Sequence, residues 1–382
     1  MTTPPAAAPR RLWVLYLGGF MGPFGGGMVT TMLPELAEGL GTTVHGASQS
    51  ITWYLAPFAV LLLVSGTLAS RWDRATVVRV GYAVYAATSL ACALVPNLPL
   101  FLGARALQGG ANAFLTPVLI TLIVAASDRR HVGRALGGLA AAQAGGQALS
   151  PLAGGLAAGY DWRIAFLATA VAALLLAVLT PSGPRGRVER EVGSWRALAN
   201  LRLGSTTVVA ACAQLAANFV VLSAALIATD RFGMSPGQRG LVVVAFGVAG
   251  FATARVAGGW ADRVGVLTMG AVASAVLAAA TFAVQVSPAL WVLVLALALC
   301  GATATCVRIL SSSLAIASTP SNESGATSVM QAAQFGAGAA APLLLPLFAV
   351  SPALTGAVLA AVVVGGIVVV ALPRAHRRGP PS

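Results

Sequence analysis

Long apolar runs separated by short polar breaks extend along almost the whole chain. Twelve of these runs reach the length of about 20 residues that an α-helix needs to cross a bilayer. They are continuous, whereas membrane β-strands alternate over about 10 residues. The runs lie at residues 12–33, 48–70, 76–95, 98–126, 132–159, 162–180, 204–229, 238–259, 265–287, 290–317, 323–349 and 352–372. This pattern predicts twelve transmembrane helices.

One long polar segment divides the runs into two sets of six. Residues 181–203 carry several charges and prolines, whereas most other breaks are only a few residues long. We therefore predict an all-α polytopic membrane protein with two six-helix bundles, formed by residues 1–180 and 204–382. Residues 181–203 are predicted to be a cytoplasmic linker between them.

The two halves of the chain repeat one another. Residues 66–71 follow the second run as residues 258–263 follow the eighth, 192 positions later. Residues 143–151 of the fifth run likewise resemble residues 334–342 of the eleventh, 191 positions later. Parallel repeats of this kind occur in membrane transporters, where the substrate site lies between the halves near the membrane midplane.

The composition of the chain excludes two broad classes of protein. Hydrophobic residues make up 58% of the chain and charged residues 9%, against about 25% charged in soluble domains. A soluble globular enzyme and a disordered chain are both excluded by this balance. The N-terminal residues MTTPPAAAPRR lack the shape of a cleavable signal, so we expect the first run to stay as a membrane anchor.

The distribution of charge predicts the orientation. The net charge of +13 comes from 23 basic residues, all arginine, against 10 acidic ones. With the N-terminus inside, 18 arginines lie in or beside inner segments, three lie outside, and Arg105 and Arg308 lie within runs. Cytoplasmic loops are enriched in positive charge. We therefore predict both termini in the cytoplasm, in a plasma or inner membrane, with no nucleic-acid partner.

Residues that carry catalytic or metal chemistry are scarce. The four cysteines lie inside apolar runs without a C-x-x-C pair, and only three histidines are present. The sequence therefore predicts no metal site and no cofactor. A membrane-embedded enzyme is disfavoured because no run ends in a cluster of His, Asp, Glu or Cys. A receptor is disfavoured because only ten residues follow the last run.

Polar side chains form stripes on the fourth, fifth, seventh, tenth and eleventh runs. Such groups usually face a bundle interior or a water-filled cavity, or join helices by hydrogen bonds. The third, sixth, ninth and twelfth runs are nearly bare and are predicted to face lipid. The predicted substrate cavity contains Phe20, Phe24, Gln108, Asn112, Gln214, Asn218, Thr305, Arg308, Gln331 and Gln334.

The two arginines within runs have no acidic residue deep in any run to pair with. Placing an arginine at a span centre costs at least about 2.5–3.5 kcal/mol on insertion scales. Arg105 is either a coupling residue or a structural residue bonded to backbone carbonyls of a neighbouring helix. Arg308 either contacts an anionic group of a substrate or extends to the cytoplasmic interface.

Two loop segments resemble the inner-loop motif of the major facilitator superfamily, Gly-x-Leu-Ala-Asp-Arg-x-Gly-Arg. Residues 258–265 fit it well, whereas residues 66–74 carry Ser70 in place of the Asp. Asp73 is the residue that would replace the lost carboxylate. The resemblance covers essentially the whole chain and implies a twelve-helix fold that works by alternating access.

Two motifs within runs resemble the same family. Residues 102–111 are similar to its fourth-helix motif, whose arginine is linked to proton coupling. Residues 146–155 are similar to the fifth-helix motif of its drug:proton antiporters, with Ser150 in place of the second Gly. The resemblance implies proton-coupled efflux of small lipophilic drugs or metabolites. The alternative is a facilitator or importer of a small organic anion.

The expected partners are a small-molecule substrate, protons and the lipid bilayer, and the chain is expected to act as a monomer. No carboxylate lies deep in a run, so proton coupling follows from the resemblance alone. Glu35, just past the first run, is the nearest acid and is otherwise a solvated loop residue. Coupling and gating are assigned to Arg105, Glu35, Arg71, Asp73, Asp262, Arg263, Ser150 and Pro151.

Overall fold

The computed structural model describes residues 10–128, 131–180 and 195–375, and these ranges contain helices and no strand. Within them, the side chains at positions 10, 11, 195, 258, 262 and 368–375 are left out of the description. The chain forms two compact units, residues 1–190 and 191–382. Their boundary falls inside the polar segment 181–203.

Seven helices build the described part of the first unit. They are α1 (Arg10–Gly27), α2 (Leu33–Gly39), α3 (Val44–Ala69), α4 (Arg74–Leu94), α5 (Leu98–Ala126), α6 (Val132–Ala158) and α7 (Arg163–Leu179). α1 packs against α6, α3 packs against α5, and α4 packs against both α5 and α7. The apolar core between them includes Tyr82 and Tyr85 of α4, which are almost fully buried.

Seven helices also build the described part of the second unit. They are α8 (Leu201–Asp230), α9 (Pro236–Val264), α10 (Val266–Val286), α11 (Leu290–Ser318), α12 (Glu323–Ala339), α13 (Leu345–Val350) and α14 (Pro352–Ala375). The helix pairs of the first unit recur here. α8 packs against α12, α9 against α11, and α10 against both α11 and α14.

The predicted all-α fold is confirmed, and each predicted run coincides with a helix or a pair of helices. Nine helical stretches in the described ranges are long and apolar enough to cross a membrane, and two shorter apolar helices are Arg163–Leu179 and Pro352–Ile367. α6 falls outside both sets because it is rich in Gly, Ala and Gln. In the first run, α1 gives way to a 3-10 turn at Met28–Thr31, and α2 begins at the last residue of the run. The eleventh run is divided into α12 and α13 by a second 3-10 turn, Ala341–Leu344.

Side-chain caps fix where several helices begin. At the start of α3, α4, α5, α8 and α12, an oxygen of the residue before the helix accepts a hydrogen bond from a backbone N–H three residues later. These N–H groups lie in the first turn and have no acceptor within the helix. The capping residues are Thr43, Asp73, Asn97, Asn200 and Asn322.

Both units use a glycine at the same helix crossing. A Cβ atom at Gly109 of α5 would overlap the carbonyl oxygen of Tyr54 in α3. A Cβ atom at Gly301 of α11 would overlap the carbonyl oxygen of Phe246 in α9. Each residue of the second pair follows its counterpart by 192 positions. The repeat inferred from the loop motifs therefore extends to the packing inside each unit.

Candidate functional site

Arg105 lies fully buried in the first unit, at the point where three helices meet. Its guanidinium donates hydrogen bonds to the carbonyl oxygens of Gly25 (3.2 Å) and Gly26 (3.5 Å) in α1 and of Ser50 (3.4 Å) in α3. It also lies 4.3 Å from the centroid of the Tyr54 ring. Among the described side chains, no carboxylate is within ion-pair distance of it.

The break in α1 explains why backbone carbonyls are available to Arg105. α1 ends at Gly27 and passes into the 3-10 turn Met28–Thr31, which interrupts the regular pairing of each carbonyl with the N–H four residues later. A guanidinium offers five N–H donors in a rigid plane and can bind several such oxygens at once. Of the two interpretations of Arg105, this geometry matches the structural one, because the side chain holds the broken end of α1.

Two amides predicted to line the substrate cavity lie in the packed interior of the first unit. Gln108 is fully buried, accepts a hydrogen bond from Arg105 and donates one to Ser89 Oγ at 2.7 Å. Asn112, one turn further along α5, is also buried, and a Cβ atom at Gly22 would lie 2.5 Å from its Oδ1 atom. Gln108 therefore extends the hydrogen-bond network of Arg105 to α4.

The residues of the fifth-helix motif pack directly on the backbone of α1. Cβ atoms at Gly146 and Gly154 would overlap the carbonyl oxygens of Phe20 and Met28, respectively. Between these two contacts, Ser150 is buried and faces Gly27. Small residues at this spacing let two helices approach closely.

A hydrogen bond fixes the same contact beyond the break in α1. Thr31 Oγ1 donates to the carbonyl oxygen of Pro151 at 2.7 Å. Proline at position 151 has no N–H of its own and leaves the turn before it one hydrogen bond short. Pro151 and Ser150 are therefore joined to the segment that carries the broken end of α1.

An aromatic pair marks the half-buried face of α1. The rings of Phe20 and Phe24 are stacked, with centroids 5.1 Å apart and an interplanar angle of 26°. Both side chains are partly exposed. They give this face an apolar, planar surface.

The predicted cavity residues of the second unit lie on three different helices. On α8, Gln214 Nε2 donates to Asn218 Oδ1 at 2.8 Å, and both side chains are half-buried. On α11, Thr305 packs against α9, where a Cβ atom at Gly250 would lie 2.7 Å from its Oγ1 atom. On α12, Gln331 is half-buried and Gln334 is buried.

Arg308 differs sharply from Arg105. It lies on α11, ten residues before the helix ends at Ser318, and its side chain is exposed. No described residue forms a hydrogen bond or ion pair with its guanidinium. A cation in this position is free to contact an anionic group.

The inner-loop residues are placed at helix ends. Asp73 Oδ2 accepts hydrogen bonds from the backbone N–H and the hydroxyl of Thr76, both at 3.0 Å, and so caps α4. Arg71 and Arg263 are exposed. The side chain of Asp262 lies outside the described residues. Asp73 thus has a structural role at the start of α4.

Glu35 lies in the first turn of α2, immediately after the break that follows α1. Its side chain is half-buried. Every other acidic residue of the described helices lies at or near a helix end.

Sequence reasoning missed Tyr54 and Ser89 as members of the Arg105 network. Tyr54 also donates a hydrogen bond to the carbonyl oxygen of Gly22 at 3.1 Å. The only sequence signal for either was a polar atom inside an apolar run, which many buried residues share. Their roles depend on contacts between helices that are distant in sequence.

Comparison with known proteins assigns the chain to a family. The model of the Major Facilitator Superfamily matches residues 15–204 and 206–382. The methylenomycin A resistance protein of Streptomyces coelicolor is 35% identical over 134 residues, which cover 35% of this chain and 28% of that protein. The puromycin resistance protein pur8 of Streptomyces alboniger is 33% identical over 184 residues, which cover 47% of this chain and 37% of that protein. The matches thus span well under half of these relatives.

Solved structures share the fold at low identity. A bacterial homolog to the human lysosomal transporter Spinster superposes with a TM-score of 0.73 at 15% identity, covering 96% of both chains. The nucleoside transporter NupG gives a TM-score of 0.73 at 15% identity, covering 97% of this chain and 100% of that one. At this identity the likeness concerns the fold alone.

Proposed function

The chain belongs to the major facilitator superfamily, and from that premise we propose that it exports small lipophilic compounds in exchange for protons. It is a multi-pass membrane protein with a transporter fold. In the proposed cycle, the two units alternate between openings to the two sides of the membrane, with both termini in the cytoplasm. One chain carries out the cycle.

The contact between α1 and α6 carries the proposal. Its small residues, Gly146, Ser150 and Gly154, lie in the motif that resembles that of drug:proton antiporters. Because this contact is made largely by backbone, the helices can slide by small amounts without separating interlocked side chains. Relatives named as resistance proteins for methylenomycin A and puromycin support the same assignment.

A lipophilic substrate suits the residues assigned to the cavity. The stacked rings of Phe20 and Phe24 offer apolar surface, and Gln214 and Asn218 offer hydrogen bonds without net charge. The described helix interiors contain no Asp or Glu with which a multivalent cation could pair. We therefore propose an uncharged or weakly charged amphiphile.

We assign the proton-binding role to Glu35. A proton-coupled antiporter needs a group that binds H+ and substrate in alternation. Glu35 is half-buried and follows the broken end of α1, whose carbonyls Arg105 holds. A movement of this end would change the surroundings of the Glu35 carboxylate.

The experiment is an accumulation assay in an efflux-deficient bacterial host that expresses this chain. A panel of lipophilic dyes and antibiotics is measured with and without a protonophore. We expect lowered accumulation of at least one compound, restored by the protonophore and absent in the Glu35→Gln variant. Unchanged accumulation across the panel, with the protein verified in the membrane, would count against export of lipophilic compounds.

A second candidate function is facilitated transport or import of a small organic anion. The exposed guanidinium of Arg308, without a partner among the described residues, favours it. This alternative predicts uptake of carboxylates or sulfonates that Arg308→Glu abolishes and Arg308→Lys preserves in part. Anion uptake that is unaffected by Arg308→Glu would remove the alternative.

A further inference from the structure

A cavity of about 160 Å³, half open to the outside of the second unit, lies between α8, α10, α11 and α14. Its lining is mostly apolar, but Ser274 of α10 and Ser311 of α11 also face it. Five of the lining residues belong to α10, which the sequence predicted to face lipid. That prediction was incomplete, because only part of the surface of α10 is free of neighbouring helices.

The repeat shows how this cavity arises. With the offset of 192 positions, the counterparts in the first unit are Val78 for Gly270, Tyr82 for Ser274 and Leu119 for Ser311. These three counterparts are buried in the core of the first unit, where they pack together with further leucine and valine side chains. At all three positions, the second unit has the smaller residue.

An independent contact supports the same register. In the first unit, Gln108 of α5 donates a hydrogen bond to Ser89 of α4. In the second unit, Cys300 of α11 contacts Thr281 of α10 with 4.0 Å between the sulfur and the oxygen. Both partners follow their counterparts by 192 positions, so α10 and α11 are packed as α4 and α5 are.

Tyr82 shows what fills the corresponding space in the first unit. Its phenol ring is almost fully buried, and its hydroxyl lies beside Gly18 and close to the side chain of Leu119. In the second unit, the ring is absent at Ser274, and the position of Leu119 is taken by Ser311. At these two positions the second unit therefore has serine hydroxyls where the first unit has a phenol ring and a leucine side chain.

We propose that this cavity binds a neutral molecule of the size and polarity of a phenol. An engineered cavity of about 150 Å³ accommodates benzene, so a volume of about 160 Å³ fits one six-membered ring. The structure shows no hydrogen bond between the hydroxyl of Ser274 or Ser311 and a described residue, and either hydroxyl could pair with a phenol oxygen. A lipid chain would offer neither hydroxyl a hydrogen-bond partner. The site is distinct from the substrate cavity proposed above, because none of its lining residues is among those assigned to that cavity.

The test is photolabelling of the full chain, purified in lipid nanodiscs, with a phenol that carries a diazirine group. We expect labels in residues 266–274 and 307–314 that excess 4-methylphenol, the analogue of a tyrosine side chain, removes. Toluene should compete about fivefold less well, the factor for one net hydrogen bond. The double variant Ser274→Ala/Ser311→Ala, which removes both hydroxyls, should make 4-methylphenol and toluene compete equally well.

Variants copied from the first unit provide the controls. Ser274→Tyr should fill the cavity and lower the labelling at least tenfold, whereas Ala275→Tyr, on the exposed face of the same helix, should not. Where Ser274→Tyr fails to fold, Gly270→Val serves the same purpose with a smaller change. Labelling that survives cavity filling would overturn the proposal. A lipid that copurifies with the wild type but not with the filled variant would overturn it too.

Discussion

Replacing Arg105 with alanine should abolish transport while the protein still folds and inserts. The side chain holds the carbonyls of Gly25 and Gly26 at the end of α1, and it bonds to Gln108. Without it, the broken end of α1 loses the contact that ties it to α5. The segment between α1 and α2 should then sample other positions, and the cycle should fail because this segment leads to Glu35.

The effect of Arg105→Ala on the free energy of unfolding is the difference between two opposing contributions. Leaving the two best-placed acceptors, the oxygens of Gly25 and Gln108, unpaired costs about 1–3 kcal/mol each. The same substitution removes a buried charge whose insertion costs at least about 2.5–3.5 kcal/mol. The free energy of unfolding should therefore fall by no more than about 3 kcal/mol. Arg105→Lys keeps the charge but not the planar donors, so it should be less stable than Arg105→Ala.

Hydrogen exchange of the amides in residues 25–31 measures the local effect directly. We expect faster exchange there in Arg105→Ala, together with loss of export in the accumulation assay. Arg79→Ala is the matched control, because Arg79 also donates to a helix-end carbonyl, that of Thr180, at 3.0 Å and 3.3 Å. It should leave exchange in residues 25–31 unchanged. Full export by Arg105→Ala, or unchanged exchange in this segment, would refute the reasoning.

Three further substitutions test the packing. Gly301→Ala places a methyl group against the backbone of α9 and should destabilise the second unit by about 1–3 kcal/mol in thermal unfolding, whereas Gly103→Ala, where a Cβ atom meets open space, should not. Gly27→Ala should clash with the Ser150 hydroxyl and reduce export, and adding Ser150→Gly should restore export. Equal export by the single and double variants would contradict the importance of this contact. Asp73→Ala should cost about 1 kcal/mol of stability by removing a helix cap, with Asp73→Asn close to wild type.

The span positions were predictable because continuous apolar runs and capping residues are local signals. Asn97 and Asn200, for example, cap the starts of α5 and α8. The side chain of each accepts a hydrogen bond from the backbone N–H three residues later. The break in α1 was less evident, since the apolar run continues past Gly27 to the next helix. There, consecutive glycines weaken the helix, while hydropathy stays high.

The partners of Arg105 were not predictable from the sequence. Its acceptors are backbone oxygens of α1 and α3, and every residue has such an oxygen, so only the packing of the helices selects which ones are used. The cavity of the second unit was hidden for a related reason. The exchange of Tyr82 for Ser274 becomes visible only when the two units are aligned at 192 positions.

Proton-driven export is tested most directly in proteoliposomes that contain the purified chain and carry an imposed pH gradient. A dye identified in the accumulation assay is added outside liposomes with an acidic interior, and dye uptake and internal pH are followed together. The account predicts that dye accumulates while the gradient dissipates, and that Glu35→Gln shows neither change. Dye movement at the same rate with and without the gradient would contradict proton coupling and indicate a facilitator.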